Sequence, residues 1–250
     1  MPAHDRIYRT EGVVLRRHDL GEADRIVTLY TQDYGKRRVI ARGARKPHSR
    51  KAGHVELFTR VDVLLSAGST LDVISQVDTL DAYLPIRQNL VLGTYAGHFV
   101  ELLDAFTEDE DENRSLYHLL VEGLRWISET TNPRRTARYY ELHLLDLAGY
   151  RPQLNECVLC GTLIQAEDQF YSVMDGGVVC PSCGQHYPRA QFLPLGVLKV
   201  LRYLQRSPFE AVEKLELSDT VQRECERLMY AILTHFLERR LRSADFLDRL

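Results

Sequence analysis

The sequence predicts an α+β protein in which a small β-barrel precedes a helical body that carries an inserted cysteine loop. Three observations predict this order. β-branched runs fill the first eighty residues, the apolar period becomes helical after Pro85, and four of five cysteines form two Cys-x-x-Cys pairs. The expected boundaries are residues 1–82 for the barrel, 83–250 for the helical domain and 151–190 for the inserted cysteine module.

The barrel is expected to contain five short strands. Alternation is clearest over 57–65, where apolar residues and Thr59 share one face while Arg60 and Asp62 take the other. Five strands in about 75 residues favour a five-stranded barrel of the OB type, and an SH3-like barrel is the alternative that composition leaves open. The strands are expected at 12–17, 25–31, 37–42, 57–65 and 70–77, with Leu71, Val73 and Val77 inward in the last.

Helices are expected from the spacing of apolar residues beyond the barrel. Asn113 is placed to cap one of them, and the segment 134–148 is apolar nearly all round, which predicts a buried central helix that Gly149 terminates. The acidic run 108–112 is expected to be a solvated loop. The other helices are expected over 92–106, from Asn113 to about 127, over 194–206 and over 218–241.

Positive charge is concentrated near the N-terminus of a chain that is slightly acidic overall. Residues 1–51 carry 13 Lys and Arg against 6 Asp and Glu, whereas the remaining 199 residues carry 19 and 29. Eight cations fall within 35–51, on the third strand and the Gly/Pro loop after it. A dense patch on a barrel of this type favours contact with nucleic-acid phosphates, largely without base readout. The alternative is a solvated edge strand.

Composition limits the class of protein. Hydrophobic residues make up 44% and charged residues 27%, which is typical of soluble globular proteins. We find no apolar leader and no run that approaches the roughly 18 apolar residues of a membrane span, so we expect a cytoplasmic protein without a membrane partner. No Walker, Rossmann or Gly-x-Ser-x-Gly motif occurs, and no enzymatic activity is expected.

The pairs Cys157-x-x-Cys160 and Cys180-x-x-Cys183 are separated by nineteen residues, a spacing typical of zinc sites. Each pair turns so that two thiolates converge, and two pairs complete a closed tetrahedral shell. A closed shell leaves no open coordination position, so the zinc is expected to be structural. The glycine after each pair is expected to supply backbone freedom. Unligated thiols or a redox dithiol are the alternatives.

Residues His54-Val55-Glu56 match the first half of a zinc deaminase signature. The second half places Pro before Cys-x-x-Cys, and Val179 stands at that position here. A zinc-dependent nucleic-acid hydrolase or deaminase is therefore an alternative function, and a zinc-stabilised protein-binding adaptor is another. His54 and Glu56 are expected to be solvent-facing residues at the entry of a strand.

With these features placed, the chain resembles the RecO family of bacterial recombination mediators over essentially its whole length. No single motif is diagnostic, but their order is specific. The resemblance is carried by Gly12-Val-Val-Leu15, Gly21-Glu-Ala-Asp-Arg-Ile-Val27, Leu29-Tyr-Thr31, Tyr34-Gly-Lys36, Ala41-Arg-Gly-Ala-Arg-Lys46, the two cysteine pairs and the closing Arg242-Ser-Ala-Asp-Phe-Leu247.

The resemblance implies a non-enzymatic role in DNA repair and recombination after DNA damage, in the RecFOR pathway. RecO-like proteins bind single- and double-stranded DNA, anneal complementary strands and, with RecR, help to load recombinase onto strands coated with single-stranded-DNA-binding protein. The implied location is the cytoplasm, at the nucleoid. The implied cofactor is Zn²⁺ on the four cysteines.

The resemblance also implies two groups of binding residues. The acidic C-terminal tail of the single-stranded-DNA-binding protein docks on the helical domain of family members. Candidates here are Arg134, Arg135 and Arg138, which could instead be solvated residues of a first helical turn. The basic barrel surface that would contact DNA corresponds to Lys36, Arg37, Arg38, Arg42, Arg45, Lys46 and Arg50.

Overall fold

The computed structural model describes residues 7–237 and residue 243, in two compact units, Met1–Glu129 and Thr130–Leu250. The expected helix beyond residue 237, and the 242–247 motif apart from Ser243, lie outside the described residues. Within the described part of the chain, no helix has the length and apolar character needed to cross a membrane.

The first unit begins with a closed five-stranded barrel. Its strands are β1 (Ile7–Leu20), β2 (Asp24–Thr31), β3 (Gly35–Ala41), β4 (Arg60–Ser66) and β5 (Asp72–Asp81). Their order around the barrel is β1-β2-β3-β5-β4, with β3 and β5 parallel and the other neighbours antiparallel. This is the OB arrangement, so the expected fold class is confirmed and the SH3-like alternative is set aside.

The barrel is filled by apolar side chains on alternate residues, such as the fully buried Val61 and Val63. Two details differ from the expected pattern. β4 begins only at Arg60, because Phe58 has a positive φ of 67° that is incompatible with an extended strand, and Leu57 is therefore 37% exposed. In β5 a bulge shifts the register, so Ile74 faces the core where Val73 was expected.

Three helices complete the first unit: α1 (Leu84–Gln88), α2 (Leu90–Phe106) and α3 (Arg114–Glu129). Side-chain oxygens cap the two longer ones, since Asn89 Oδ1 accepts from the Val91 amide and Asn113 Oδ1 from the Leu116 amide. The cap expected at Asn113 is therefore confirmed. The helix α1 was not expected from the sequence, because five residues are too few to show a helical period.

Residues 108–112, called the acidic loop below, connect α2 to α3 and lie on β3. The Glu110 amide donates to the Lys36 carbonyl at 3.0 Å. The main chain comes so close at Gly35 that a Cβ there would lie 2.1 Å from the Asp111 carbonyl oxygen. The acidic loop is therefore only partly solvated as expected. The side chains of Asp109 and Glu110 are exposed, but the main chain of the loop is bonded to the barrel.

The second unit is built on α4 (Pro133–Leu147), which is buried over most of its length as expected of the central helix. Gly149, at φ 85°, ends it, and the Tyr150 amide closes the turn on the Leu145 carbonyl. Two helices pack against α4. They are α6 (Leu195–Arg206) and α8 (Asp219–Leu237), joined through the short α7 (Phe209–Val212).

The cysteine module carries a small sheet that the sequence did not predict, because its strands have only three or four residues. The strands are β6 (Gln169–Ser172), β7 (Gly177–Val179) and β8 (Ala190–Leu193), in the order β7-β6-β8, and α5 (Pro181–Gly184) packs on β6. The Phe170 ring lies so close to Gly184 that a Cβ there would approach it to 2.3 Å. Gly184 therefore provides close packing, whereas Gly161, at φ 74°, provides the expected backbone freedom.

Candidate nucleic-acid interface and metal centre

The first cation of β3, Lys36, is buried although it lies on the outward face of the strand. Only 8% of the residue is exposed. Its Nζ donates to the carbonyl oxygens of Asp104 and Thr107 at 3.0 and 2.8 Å and lies 3.1 Å from Asp104 Oδ1. The end of α2 thus covers the Lys36 ammonium, and Lys36 is not part of the exposed cationic surface.

The next two cations of β3 face the acidic loop. The Arg37 guanidinium donates to Glu110 Oε1 at 2.7 Å, and its side chain is only 13% exposed. It also lies 5.9 Å from the centroid of the Tyr34 ring, within range of a cation–π contact. Arg38 is 62% exposed, and its Nε lies 3.7 Å from Asp109 Oδ2. Of the three predicted DNA contacts at this end of β3, only Arg38 is well exposed.

The loop after β3, residues 42–51 and called the basic loop below, presents its cations differently. Arg42, Lys46 and Arg50 are exposed, and among residues 7–237 no carboxylate comes within ion-pair distance of them. Arg45 is held instead, by Asp19 at 3.2 Å and by the Gly21 carbonyl at 2.6 Å. Three of the seven predicted DNA-contacting cations thus lie on this loop without a neutralising carboxylate among the described residues.

The basic loop is anchored to the barrel through its main chain and Ala44. Ala44 is buried in the barrel core. The Gly43 amide donates to Asp24 Oδ1 at 2.7 Å, and the Arg45 amide to the Ala23 carbonyl at 2.9 Å. At the end of the loop, burial and then the charge of Arg42 lower the pKa of Lys51, as expected where positive charge is concentrated.

Three aromatic residues near the cationic strand in the sequence, Tyr30, Tyr34 and Phe58, could in principle stack on bases, and their environments differ. Tyr30 is fully buried in the barrel and cannot stack on a base. Tyr34 is partly buried and packs on Tyr8 at a centroid distance of 4.6 Å, while Phe58 is partly buried in the turn before β4. Because few aromatic faces are available, contacts to a nucleic-acid backbone fit this surface better than base stacking.

The four cysteines of the two pairs come together in the second unit. The Sγ atoms of Cys157, Cys160, Cys180 and Cys183 all lie within 4.8 Å of one another. The Cys160 and Cys180 sulfurs are 3.8 Å apart. A tetrahedral shell with metal–sulfur bonds of about 2.3 Å requires sulfur–sulfur separations of roughly 3.8 Å. The cluster therefore has the dimensions of a four-sulfur metal site.

Hydrogen bonds around the cluster suit thiolate ligands. The Cys180 amide donates to Cys157 Sγ at 3.3 Å, and the Thr162 hydroxyl lies 3.1 Å from Cys160 Sγ. The contacts from Thr162 lower the pKa of Cys160 to about 6, whereas hydrogen bonds with neighbouring thiols raise that of Cys183 to about 12. Four crowded sulfurs cannot all ionise without a cation, so the donor set fits a divalent metal ion.

The three arginines predicted to dock an acidic tail converge at one pocket of the second unit. Arg134 forms a bidentate pair with Glu226 at 2.7 and 2.6 Å, and Arg138 pairs with Glu141 at 2.5 Å. Arg135 donates to the Leu215 carbonyl at 2.6 Å. With 5% and 9% exposure, Arg135 and Arg138 are not the solvated first-turn residues of the alternative.

The remaining pocket wall combines apolar residues with unsatisfied donors. Val200, Leu204 and Leu217 line it beside the arginines. Arg135 Nε and Nη2 and Arg138 Nε are buried and lack a hydrogen-bond partner within the described residues. Burial also lowers the pKa of Arg135, as expected of a cation short of compensating negative charge.

Two family models cover almost the whole chain. Residues 5–83 match the model described as Recombination protein O N terminal, and residues 87–245 match the one described as Recombination protein O C terminal. The chain belongs to the RecO family.

Curated relatives agree with this assignment. A DNA repair protein RecO from Roseiflexus sp. (strain RS-1) is 43% identical over 98% of this chain and 86% of its own length. Proteins of the same name from Desulforamulus reducens and Symbiobacterium thermophilum are 34% and 35% identical, again over 98% of this chain and over 95% and 98% of their own lengths.

In this RecO-family chain, His54 and Glu56 have structural contacts and do not belong to the cysteine cluster. His54 Nδ1 lies 2.8 Å from the Thr79 hydroxyl, and Glu56 pairs with Arg17 and Arg25. Within the described residues, the group with metal-binding spacing contains four sulfurs and no histidine. The contacts of His54 and Glu56 do not support the deaminase alternative.

Sequence reasoning missed the carboxylates that pair with both groups of cations in this RecO-family chain. Asp104, Asp109 and Glu110 reach β3 from about seventy residues away, and Glu226 reaches α4 from ninety-two. The opposite charges of 36–38 and 108–112 were a usable signal. Nothing comparable in the sequence marks Glu226 among the other acids of α8.

Proposed function

We propose that this chain is a DNA-binding recombination mediator in DNA repair that catalyses no covalent reaction. It binds single- and double-stranded DNA and anneals complementary strands. With RecR it helps to load recombinase onto strands coated with single-stranded-DNA-binding protein, in the cytoplasm at the nucleoid. Membership of the RecO family, the printed names of the relatives and the OB barrel support this proposal.

The main support for DNA binding is the set of exposed cations on the basic loop. Arg42, Lys46 and Arg50 are exposed on an anchored segment, and within the described residues no carboxylate neutralises them. Each cation that contacts a phosphate releases condensed counterions, so affinity falls with salt concentration. The anchoring reduces the ordering cost of binding, because hydrogen bonds already hold the loop main chain to Ala23 and Asp24, at the start of β2.

The test is fluorescence anisotropy with a labelled single-stranded oligonucleotide across a salt series. Replacing Arg42, Lys46 and Arg50 by Ala is expected to weaken binding at low salt. It should also reduce the slope of log K against log salt by about 2, since each phosphate contact contributes about 0.7 on a single strand. The same titration with a duplex tests the double-stranded substrate.

The matched control replaces three exposed cations of the second unit, Arg189, Lys199 and Arg227, by Ala. Both triple variants change the net charge equally, so a difference between them reports location and not total charge. Equal slopes in the two variants would count against the basic loop. Failure of the unmodified protein to bind any oligonucleotide at low salt would favour the protein-binding adaptor.

For the metal centre we propose Zn²⁺ in a structural role. Four thiolates with no open position suit zinc, and the cluster dimensions agree with a tetrahedral shell. X-ray absorption is expected to give four sulfur ligands at about 2.3 Å. A nitrogen or oxygen ligand in the shell would instead support the hydrolase alternative.

A second binding function is proposed for the arginine pocket: docking of the acidic C-terminal tail of the single-stranded-DNA-binding protein. Such a peptide brings carboxylates and apolar side chains together. The buried donors of Arg135 and Arg138 suit a carboxylate, and the wall formed by Val200, Leu204 and Leu217 suits an apolar side chain.

The tail proposal can be tested without altering the protein. A labelled tail peptide with a free C-terminal carboxylate is expected to bind, and the same peptide with an amidated C-terminus is expected to bind about tenfold or more weakly. This is the range of one charged hydrogen bond. Equal binding of the two peptides would place the terminal carboxylate outside the pocket.

A further inference from the structure

The opposite charges at the start of β3 have a consequence beyond the packing of the acidic loop. Lys36, Arg37 and Arg38 are the most closely spaced predicted DNA contacts in the sequence. In the structure they face three carboxylates, from Asp104, Asp109 and Glu110. The positive field there is largely cancelled, whereas Arg42, Lys46 and Arg50 on the basic loop keep theirs.

Only part of this cancellation is permanent. The side chains of Lys36 and Asp104 are 9% and 14% exposed, so this ion pair is shielded from solvent and from DNA. The Asp109 and Glu110 side chains are 54% and 66% exposed, and Arg38, which faces Asp109, is 62% exposed. Exposed ion pairs are weak and are screened by salt, so a phosphate can replace one of these carboxylates on the arginine.

The main chain keeps the two carboxylates in place. The Glu110 amide is bonded to the Lys36 carbonyl, and Asp109 forms a parallel bridge with Lys36. Gly35 allows the acidic loop to approach the strand, since a Cβ there would collide with Asp111. Glu110 itself has a positive φ of 67°, which is uncommon outside glycine. Asp109 and Glu110 are thus held beside Arg37 and Arg38 by contacts that do not involve their own side chains.

We propose that Asp109 and Glu110 act as a built-in competitor of DNA: their carboxylates occupy the phosphate positions at Arg37 and Arg38. The competition confines DNA to the basic loop until phosphates displace the carboxylates, and so weakens overall affinity. This inference rests on the proposed DNA-binding function. It adds an autoinhibitory contact that sets how much of the cationic surface a strand can use.

The test compares two variants that remove the same number of negative charges from the first unit. Asp109→Asn with Glu110→Gln removes the competitor. Glu122→Gln with Glu129→Gln removes two carboxylates of α3 that pair with Arg125. A labelled oligothymidine is titrated in a salt series with each variant and with the unmodified protein.

The competitor variant is expected to bind about three- to tenfold more tightly at low salt, the size of one or two exposed ion pairs. Its log–log salt slope should steepen by about 0.7 to 1.4, since the exposed Arg38 and, once Glu110 no longer holds it, the 13% exposed Arg37 reach phosphates. The α3 variant is expected to change affinity less than twofold and to leave the slope unchanged. If the two variants behave alike, the inference is wrong.

A third substitution identifies the cation that is released. Arg38→Ala is expected to weaken DNA binding several-fold more in the competitor variant than in the unmodified protein, because Asp109 faces Arg38 in the latter. Equal effects in both backgrounds would overturn the inference. Should the competitor variant melt at a lower temperature, Asp109→Asn with Glu110→Asn replaces it, because Asn tolerates positive φ better than Gln.

The outcomes separate the inference from the function on which it rests. An unmodified protein whose weak binding does not depend on salt contradicts DNA binding by the basic loop. An unmodified protein with the expected salt dependence, together with indistinguishable competitor and α3 variants, contradicts only the role of the acidic loop.

Discussion

The cysteine cluster and the cationic strand β3 are both dense groups of like residues in the sequence, yet their predictability differs. The cluster is assembled from two local turns, so spacing alone indicates that the four sulfurs meet. The accessibility of the β3 cations is decided by carboxylates about seventy residues away. Ligand convergence within a turn is a local property, whereas the exposure of a charge is a tertiary one.

The largest expected effect comes from disrupting the cysteine cluster, the locally determined group of this comparison. Cys157→Ser removes a thiolate from the shell, and structural zinc binding is worth about 10 kcal/mol or more of local folding free energy. We expect mass spectrometry to show that zinc is lost, with limited proteolysis cutting within residues 151–190.

The fifth cysteine provides the control for that experiment. Cys225 is 1% exposed in the core of the second unit, where burial raises the pKa of its thiol to about 12. Cys225→Ser is expected to lower stability by about 1–2 kcal/mol, through burial of a polar hydroxyl, and to keep the zinc. Retention of zinc by Cys157→Ser would contradict the four-sulfur site.

An effect of medium size tests whether tertiary contacts decide the role of each cation near β3. Lys36→Met keeps the buried stem but removes the ammonium from two carbonyl oxygens and Asp104, which is expected to destabilise the first unit by about 2 kcal/mol. Arg42→Met at an exposed site is expected to change stability by less than about 0.5 kcal/mol. Urea denaturation measures both.

DNA binding is expected to respond in the opposite order. Arg42→Met should reduce the salt slope on single strands by about 0.7, while Lys36→Met should leave it unchanged in the folded protein. A Lys36 variant that lowers the slope as much as the Arg42 variant would show that the ammonium reaches DNA after all.

The smallest difference between paired variants, about 1 kcal/mol, distinguishes the two glycines of the cysteine module. Gly184→Ala places a methyl group 2.3 Å from the Phe170 ring and is expected to cost about 2 kcal/mol. Gly161→Ala strains a residue at φ 74° and is expected to cost about 1 kcal/mol. Thermal denaturation should show partial rescue of the Gly184 variant by Phe170→Leu and none of the Gly161 variant. Equal rescue would contradict the packing role.

The sequence predicts those parts of the fold that have a long period or a local cap. The barrel strands, the Asn113 cap and the central helix ended by Gly149 follow from alternation, capping and helical spacing. The strands β6 to β8 have too few residues to show a period. The register shift in β5 was missed because a bulge reverses the face of every residue beyond it.

The candidate sites follow the same division. Spacing identified all four cysteines that come together, and charge density identified the basic loop. Neither could show that Lys36 is buried, since its partners are main-chain carbonyls at the end of α2. The convergence of Arg135 and Arg138 with Val200 depends on how α4 packs on its neighbours, which no local pattern encodes.

The contact of Lys36 with the last carbonyl oxygens of α2 also concerns how the first unit unfolds. Separating the strand from the helix would break the contacts of Lys36 with two carbonyl oxygens and the Asp104 carboxylate at once, so the partly opened state is costly. Barrel and helix should therefore exchange their slowest amide hydrogens as one cooperative block. A polypeptide ending at residue 82 would lack α2, and the Lys36 ammonium would then be exposed to water.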